Sequence, residues 1–278
     1  MFSFGSKERP LRMVWKIEGE GEMSFLIGTA HFFPYSVKTS LIKLMEKIDT
    51  VLFEGPLDER DMDKVREEGA RPSSVPSLYE NLDARTIAIL NRELSYGSSH
   101  ADSSFMSYID IFHHGEKDIV RSEIDGLQPW MAFFKIWSYY LLKRGWKYSI
   151  DLEAHAVARK MNKKIHYLET IDEQIEALNN IPLERIVNFF KNIDKWERFA
   201  KNHAKQYLKG SYDTMIKVTL DFPTRCASII DMRDPVLFER MVPFVKKGRA
   251  GIFIGTIHIS GIKNMLEREG YKVLPYRI

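Results

Sequence analysis

Two short apolar runs, Met23 to Ile27 and Ala250 to Ile254, stand near opposite ends of the chain. Each is bounded by turn residues, and each predicts a buried strand. Upstream of the first, Met13 to Glu18 and Glu22 to Ile27 flank Gly19-Glu20-Gly21, the pattern of a hairpin. From Val37 to Ile48 the period changes, because apolar residues at 37, 41, 44, 45 and 48 fall on one face of a helix. Thr50 to Phe53 then reads as a buried strand closed by Glu54-Gly55-Pro56. The C-terminal end repeats this order, with a helix predicted from about Ile259 to Glu269, a stop at Gly270 and a strand from Tyr271 to Leu274. Strand, crossover and parallel strand make a right-handed unit, so the two ends are expected to be similar β/α half-units meeting in one sheet.

Between the ends the pattern is mostly helical. Helices are predicted over Ser77 to Leu94, Ser103 to Ile111, Gln128 to Lys143 and Pro182 to Tyr207, with many aromatic residues at core spacing. Ile150 to Met161 reads as a helix carrying Asp151, His155 and Arg159 on one face, where Asp151 and His155 are placed for an intrahelical ion pair. A strand from Lys164 to Leu168 follows and ends at Glu169. Thr170 is the expected N-cap of Ile171 to Leu178, and Glu173 completes a capping box. The fold class is therefore α/β. One domain over residues 1–278 is expected, with 1–60, 145–180 and 225–278 forming the sheet core and 61–144 and 181–224 a mainly helical cover.

Composition narrows the class. With 44% hydrophobic and 12% aromatic residues in 278, a substantial core is available. The net charge of +3 comes from 41 basic and 38 acidic side chains that are interspersed, so nothing calls for nucleic acid. Cys226 is the single cysteine, which rules out an internal disulfide and a cysteine-based zinc site. Met1 to Pro10 lacks the pattern of a secretory signal, and Trp130 to Leu142 is too short to span a membrane, so a cytoplasmic protein without an integral membrane segment is expected. The sequence leaves a homo-oligomer open.

The chemistry starts where the two apolar runs end. The first closes on Gly28-Thr29-Ala30-His31 and the second on Gly255-Thr256-Ile257-His258, the same Gly-Thr-x-His phrase twice. One such histidine is most simply structural. Two copies with the same lead-in point to function, because ligands of open α/β sheets gather outside the carboxyl ends of the strands. His31, His258 and Glu54, with Asp151 or Glu169, make a nitrogen and oxygen donor set suited to a divalent transition metal such as zinc, manganese, iron or cobalt. Such a metal would acidify bound water, which makes hydrolysis the simplest reaction. In a metal-free alternative, one histidine is the general base, Glu54 orients it or polarises water, and Arg233 stabilises an oxyanion. There is no GxGxxG, phosphate loop, HExxH or GxSxG motif. His113-His114 reads as solvated surface.

These residues, with Gln128-Pro129-Trp130, Ala154, Ala158, Gln174 and Gly261, resemble the pattern of the TraB/PrgY/GumN/TIKI family over nearly the whole chain. The resemblance implies an EreA/ChaN-like fold in which two β/α half-units build a central sheet with a largely helical middle insertion. It implies a metal-dependent peptidase or related amide hydrolase of the TIKI type, with manganese or cobalt as cofactor and a peptide or protein as substrate, in line with the pheromone-inhibiting relatives. His31, Glu54 and His258 would lie around the metal, with Asp151 or Glu169 beside them and Arg233 on the oxyanion. More distant members include metal-independent esterases and a haem-binding protein, so a metal-independent esterase-like hydrolase and a protein that sequesters a peptide or haem without turnover are the alternatives. Asp151 departs from the family pattern in following Ser149-Ile150 rather than a glycine and an aliphatic residue. The absence of the signal or anchor of TIKI and GumN relatives argues against an extracellular Wnt-like substrate.

Overall fold

The computed structural model describes residues 8–19, 21–95 and 118–278. Six strands form one mixed sheet: β1 (Val14–Glu18), β2 (Ser24–Thr29), β3 (Thr50–Phe53), β4 (Lys164–Tyr167), β5 (Ala250–Gly255) and β6 (Lys272–Pro275). Their order is β4-β3-β5-β2-β1-β6. β4, β3, β5 and β2 are mutually parallel, and β1 runs antiparallel to both its neighbours. The central strands are covered on both faces, which is why β2 and β5 read as continuous apolar runs instead of alternating ones.

The first half-unit is β2, then helix α1 (Lys38–Met45), then β3, and it steps over β5. All five apolar positions of the predicted stripe, Val37, Leu41, Leu44, Met45 and Ile48, are fully buried. The second half-unit is β5, a helix over Ile259–Arg268, then β6. It differs from expectation in placement: β6 points the same way as β5 but lies at the far edge, bonded only to the antiparallel β1. The two half-units thus interleave, and their crossovers leave the adjacent strands β2 and β5 in opposite directions. That divergence marks a topological switch point, where the rim of an α/β sheet opens into a crevice.

The helical cover comprises α2 (Glu59–Glu68), α3 (Ala84–Ser95), α4 (Ile119–Ile124), α5 (Pro129–Leu142), α6 (Ile150–Lys160), α7 (Ile171–Asn179), α8 (Leu183–Lys191), α9 (Trp196–Lys209), α10 (Tyr212–Val218) and α11 (Asp234–Lys247), and the C-terminal crossover helix is α12. Two long helices expected from the pattern are broken. Ser77 to Leu94 begins as a single turn over Tyr79–Asn81, and α3 starts afresh because the Asp83 carboxylate accepts the Thr86 N–H at 2.8 Å and caps a new N-terminus. Pro182 to Tyr207 bends at Asn192, where the Trp196 indole N–H reaches back to the Phe189 carbonyl at 2.9 Å. The capping box of Thr170 and Glu173 and the stop at Gly270, φ 88°, are present. The helix expected over Ser103 to Ile111 and the His113-His114 pair lie outside the described residues.

The aromatic residues of the cover pack against one another. Trp137 lies edge-on to Phe189, Trp196 and Phe199, and Phe199 stacks on Phe222. Trp137, Phe189 and Trp196 belong to the same buried cluster as the sheet, with Phe199 and Phe222 partly buried against it, so the aromatic stripe builds core.

Candidate functional site

Strand order sets the order of chemistry along the rim. Past the carboxyl ends of β4, β3, β5 and β2 stand Glu169, Glu54, His258 and His31, on neighbours spaced by roughly 4.8 Å in a sheet. The β3–β4 ladder continues one step beyond the strands, with the Glu169 N–H donating to the Glu54 carbonyl at 2.9 Å, so the two glutamates emerge side by side. The two Gly-Thr-x-His phrases also meet. Thr29 registers with Gly255, the Thr256 N–H donates to the Thr29 carbonyl at 3.2 Å, and a Cβ on Gly28 would stand only 3.0 Å from the Thr256 methyl. Gly28 is needed for that close approach. From below, the fully buried Tyr207 of α9 donates its hydroxyl to the Gly28 carbonyl at 2.7 Å and fixes the first turn.

Helix starts bring in the remaining groups. Reciprocal bonds between Phe33 and Tyr148, and the Ile150 N–H to the Ala30 carbonyl at 3.1 Å, tie the N-terminus of α6 to the segment after β2. Asp151 therefore meets His31, Oδ2 to Nδ1, at 3.1 Å. The expected Asp151–His155 pair is not formed: His155 instead bonds the Tyr167 hydroxyl through Nε2 at 3.2 Å, because the rim histidine offers Asp151 a partner across the fold. At the start of α11, adjacent residues serve different strands. Arg233 donates to Glu169 through Nε at 2.9 Å and Nη2 at 2.5 Å, and through Nη2 to Glu54 Oε1 at 2.5 Å. Asp234 Oδ1 lies 2.6 Å from His258 Nδ1. The other face of that imidazole looks to Glu54, with Nε2 to Oε1 at 3.6 Å, too long for a direct hydrogen bond. Glu54 Oε2 accepts the Gly255 N–H at 2.8 Å.

Glu54, Glu169, Arg233 and His258 thus share one network, and His31 with Asp151 forms a separate pair within reach of its charges. Arg233 bridges Glu169 and the partly buried Glu54 through Nε and Nη2. Asp234 was overlooked, although it stands next to Arg233 in Asp231-Met232-Arg233-Asp234-Pro235. An acid ahead of a helix-starting proline looks like ordinary N-terminal charge, and only the tertiary approach of β5 gives it a histidine.

The four carboxylates of Glu54, Asp151, Glu169 and Asp234 face a single guanidinium here. The excess negative charge acts on the imidazoles. The Asp151 charge lifts His31 to about 9. Burial alone would lower His258, but the Glu54 charge and the Asp234 hydrogen bond raise it to about 9. Burial alone would likewise raise Glu54, yet Arg233, His258 and the Gly255 N–H hold it well below the ordinary carboxylate range. His258 is almost wholly enclosed, whereas the His31 side chain is 58% exposed and forms the open lip.

Among the described residues no three His, Cys, Asp or Glu side chains converge into a ready-made metal cage. The chemistry of the donors nevertheless fits a dication. His258 Nε2 is buried without a hydrogen-bond partner, and the negative excess that retains two imidazole protons is the charge a divalent ion would neutralise in their place.

Over residues 13–275 the chain matches the model of the TraB/PrgY/gumN family, and it belongs to that family. No curated protein matches it. No helix among the described residues is long and apolar enough to cross a membrane.

Proposed function

We propose that this chain is a hydrolase of amide bonds in peptides or proteins, working at the crevice between β2 and β5. The observation that supports this reading most strongly is the charge arrangement of the rim: two imidazoles, each paired at Nδ1 with its own aspartate, beside a partly buried glutamate. Asp234 keeps the proton of His258 on Nδ1, so Nε2 is the atom that exchanges protons with the crevice. Asp151 stands 3.1 Å from Nδ1 of His31 and pairs with it by charge at the lip, where substrate would enter. Arg233 and the Gly255 N–H fix Glu54 in its ionised form, ready to orient a water beside His258 Nε2.

His31, Glu54 and His258 are the residues that would hold a divalent metal, manganese or cobalt with zinc also suited by donor chemistry, with Asp151 and Glu169 orienting them. Bound there, it would supply a water acidified towards neutral pH.

The deciding experiment follows cleavage of unstructured peptides by protein dialysed against chelator, then resupplied with manganese, cobalt or zinc. Cleavage lost in chelator and restored by one of these ions is expected. Calorimetric titration of that ion in two buffers of different ionisation enthalpy should show proton release at neutral pH, a readout that needs no turnover. Cleavage that persists in chelator would remove the metal and leave the histidines and Glu54 as a metal-independent site. Stoichiometric peptide binding with no cleavage under any condition would overturn the hydrolase reading.

A further inference from the structure

On the far side of Asp234 from His258 lies a separate cleft of about 390 Å³, with Tyr212, Arg225, Asp231, Ser260, Gly261 and Asn264 among its lining residues. Ile216, Ile230, Ile257 and Met265 give it an apolar floor. Its wall is shared with the rim, because Asp234 binds His258 through Oδ1 and turns Oδ2 towards Gly261.

Arg225 is the unexplained group in this cleft. Its Nε donates to the Thr219 hydroxyl at 2.7 Å, and its Nη2 is buried with no hydrogen-bond partner. Among the described residues no carboxylate holds it, unlike Arg233, Arg240 and Arg249, each of which has an acidic partner. A partly buried guanidinium without a counter-ion carries an uncompensated desolvation cost, which native structures relieve by pairing. Tyr212 points the same way. Its oxygen accepts the Ser260 N–H at 2.9 Å, which leaves its own O–H to donate to a different acceptor. Two donors in a small cleft with an apolar floor call for an oxyanion. Asp231 and Asp234 on the same wall favour one negative charge over two, a carboxylate over a phosphate dianion.

We propose that this cleft is a second ligand site, which binds the carboxylate of a small organic acid or of a peptide's free C-terminus through Arg225 and Tyr212. The planar guanidinium fork matches a carboxylate in two-point contact. Binding there requires no turnover, so this site stands or falls separately from the hydrolase reading.

The test is calorimetric titration of the full chain with acetate, with an N-acetylated dipeptide bearing a free carboxyl terminus, with the same dipeptide as its carboxamide, and with inorganic phosphate. Saturable binding of the free acid is expected, with the carboxamide weaker by about tenfold or more, as loss of a charge-assisted pair implies. Acetate binding as well as the dipeptide would identify any small carboxylate as the ligand; a clear preference for the dipeptide would identify a peptide terminus. Arg225→Gln should abolish the difference between acid and amide while leaving the ligand-free melting temperature undiminished, since it removes an unpaired, partly buried charge. Tyr212→Phe supplies the second probe and should weaken the acid several-fold. No binding of any carboxylate to the wild-type chain, equal binding of acid and amide, tighter binding of phosphate than of the acids, or unchanged binding by both variants would each overturn the proposal.

Discussion

His258 and Asp234 face each other across 2.6 Å in a part of the molecule closed to solvent, the histidine at the start of one helix and the aspartate at the start of another. Neither group is tolerable there without the other. Asp234→Ala leaves the imidazole buried with no acceptor on Nδ1, and we expect a loss of stability of about 2 to 4 kcal/mol together with loss of peptide cleavage. Asp234→Asn keeps an acceptor but removes the charge, so its stability should fall by about 1 kcal/mol while cleavage still drops by about tenfold or more. Chemical denaturation and steady-state cleavage measure the two effects. An Asn variant cleaving at the wild-type rate would show that the charge on Asp234 plays no part.

Arg233 is a different kind of buried cation, one whose removal strands two acids. Arg233→Gln leaves Glu54 and Glu169 side by side without their shared counter-ion, and the expected cost is about 3 to 5 kcal/mol. Adding Glu169→Gln to that background should restore part of the loss, because one of the two stranded charges is gone. A denaturant double-mutant cycle reads this directly. Additive effects of the two substitutions would mean that the bridge seen between them carries no coupling.

The reach of sequence reading is visible in these same groups. His31, Glu54, Glu169 and His258 could be picked out because each sits just past an apolar run, and strand ends share an edge whatever the strand order. The strand order itself could not be read. Nothing local tells β5 to lie between β3 and β2, or β6 to cross to the far side of β1, since both are settled by which buried faces fit together. Partnerships made by helix starts were equally hidden. Asp151 had an attractive neighbour at His155, four residues on, and local spacing favoured it, but the tie between the Phe33 segment and α6 delivered His31 instead. The breaks at Asp83 and Asn192 went unseen for a related reason, because one side-chain hydrogen bond to the backbone, the Asp83 cap in the first and the Trp196 indole in the second, outweighs a continuous apolar stripe.

At the surface, Glu173 offers a control that should not touch the crevice. Hydrogen bonds from Arg240 and from the Thr170 backbone N–H, the first the larger effect, lower its carboxyl from 4.5 to about 2. A depressed folded-state value means stabilisation that is fully present above pH 4.5 and fades as pH falls towards 2. Glu173→Gln should therefore be less stable than wild type at neutral pH by a modest amount, about 0.5 to 1 kcal/mol for so exposed a pair and cap. The gap should narrow steadily as pH is lowered below 4.5, measured by urea denaturation at a series of pH values. A gap that widens on acidification would contradict the assignment, and cleavage at neutral pH should be unaffected throughout.

Gly261 offers a way to move Asp234 without changing it. A Cβ at this position would overlap Asp234 Oδ2, and moving that oxygen turns the same carboxylate whose other oxygen is held by His258. Gly261→Ala must therefore push the carboxylate off the imidazole. The extra methyl strains the packing by about 1 to 3 kcal/mol, partly offset by the better helix propensity of alanine, about 1 kcal/mol. Stability should fall modestly while cleavage falls about tenfold or more, the signature of a displaced positioning group. The strain needs the carboxylate, so in an Asp234→Ala background the added methyl finds room and should cost nothing further in either measurement. Gly261→Ala and Asp234→Ala should accordingly be strongly non-additive. If the double variant instead shows the full sum of the two losses, the path from Gly261 through Asp234 to His258 is wrong, and the glycine serves α12 alone.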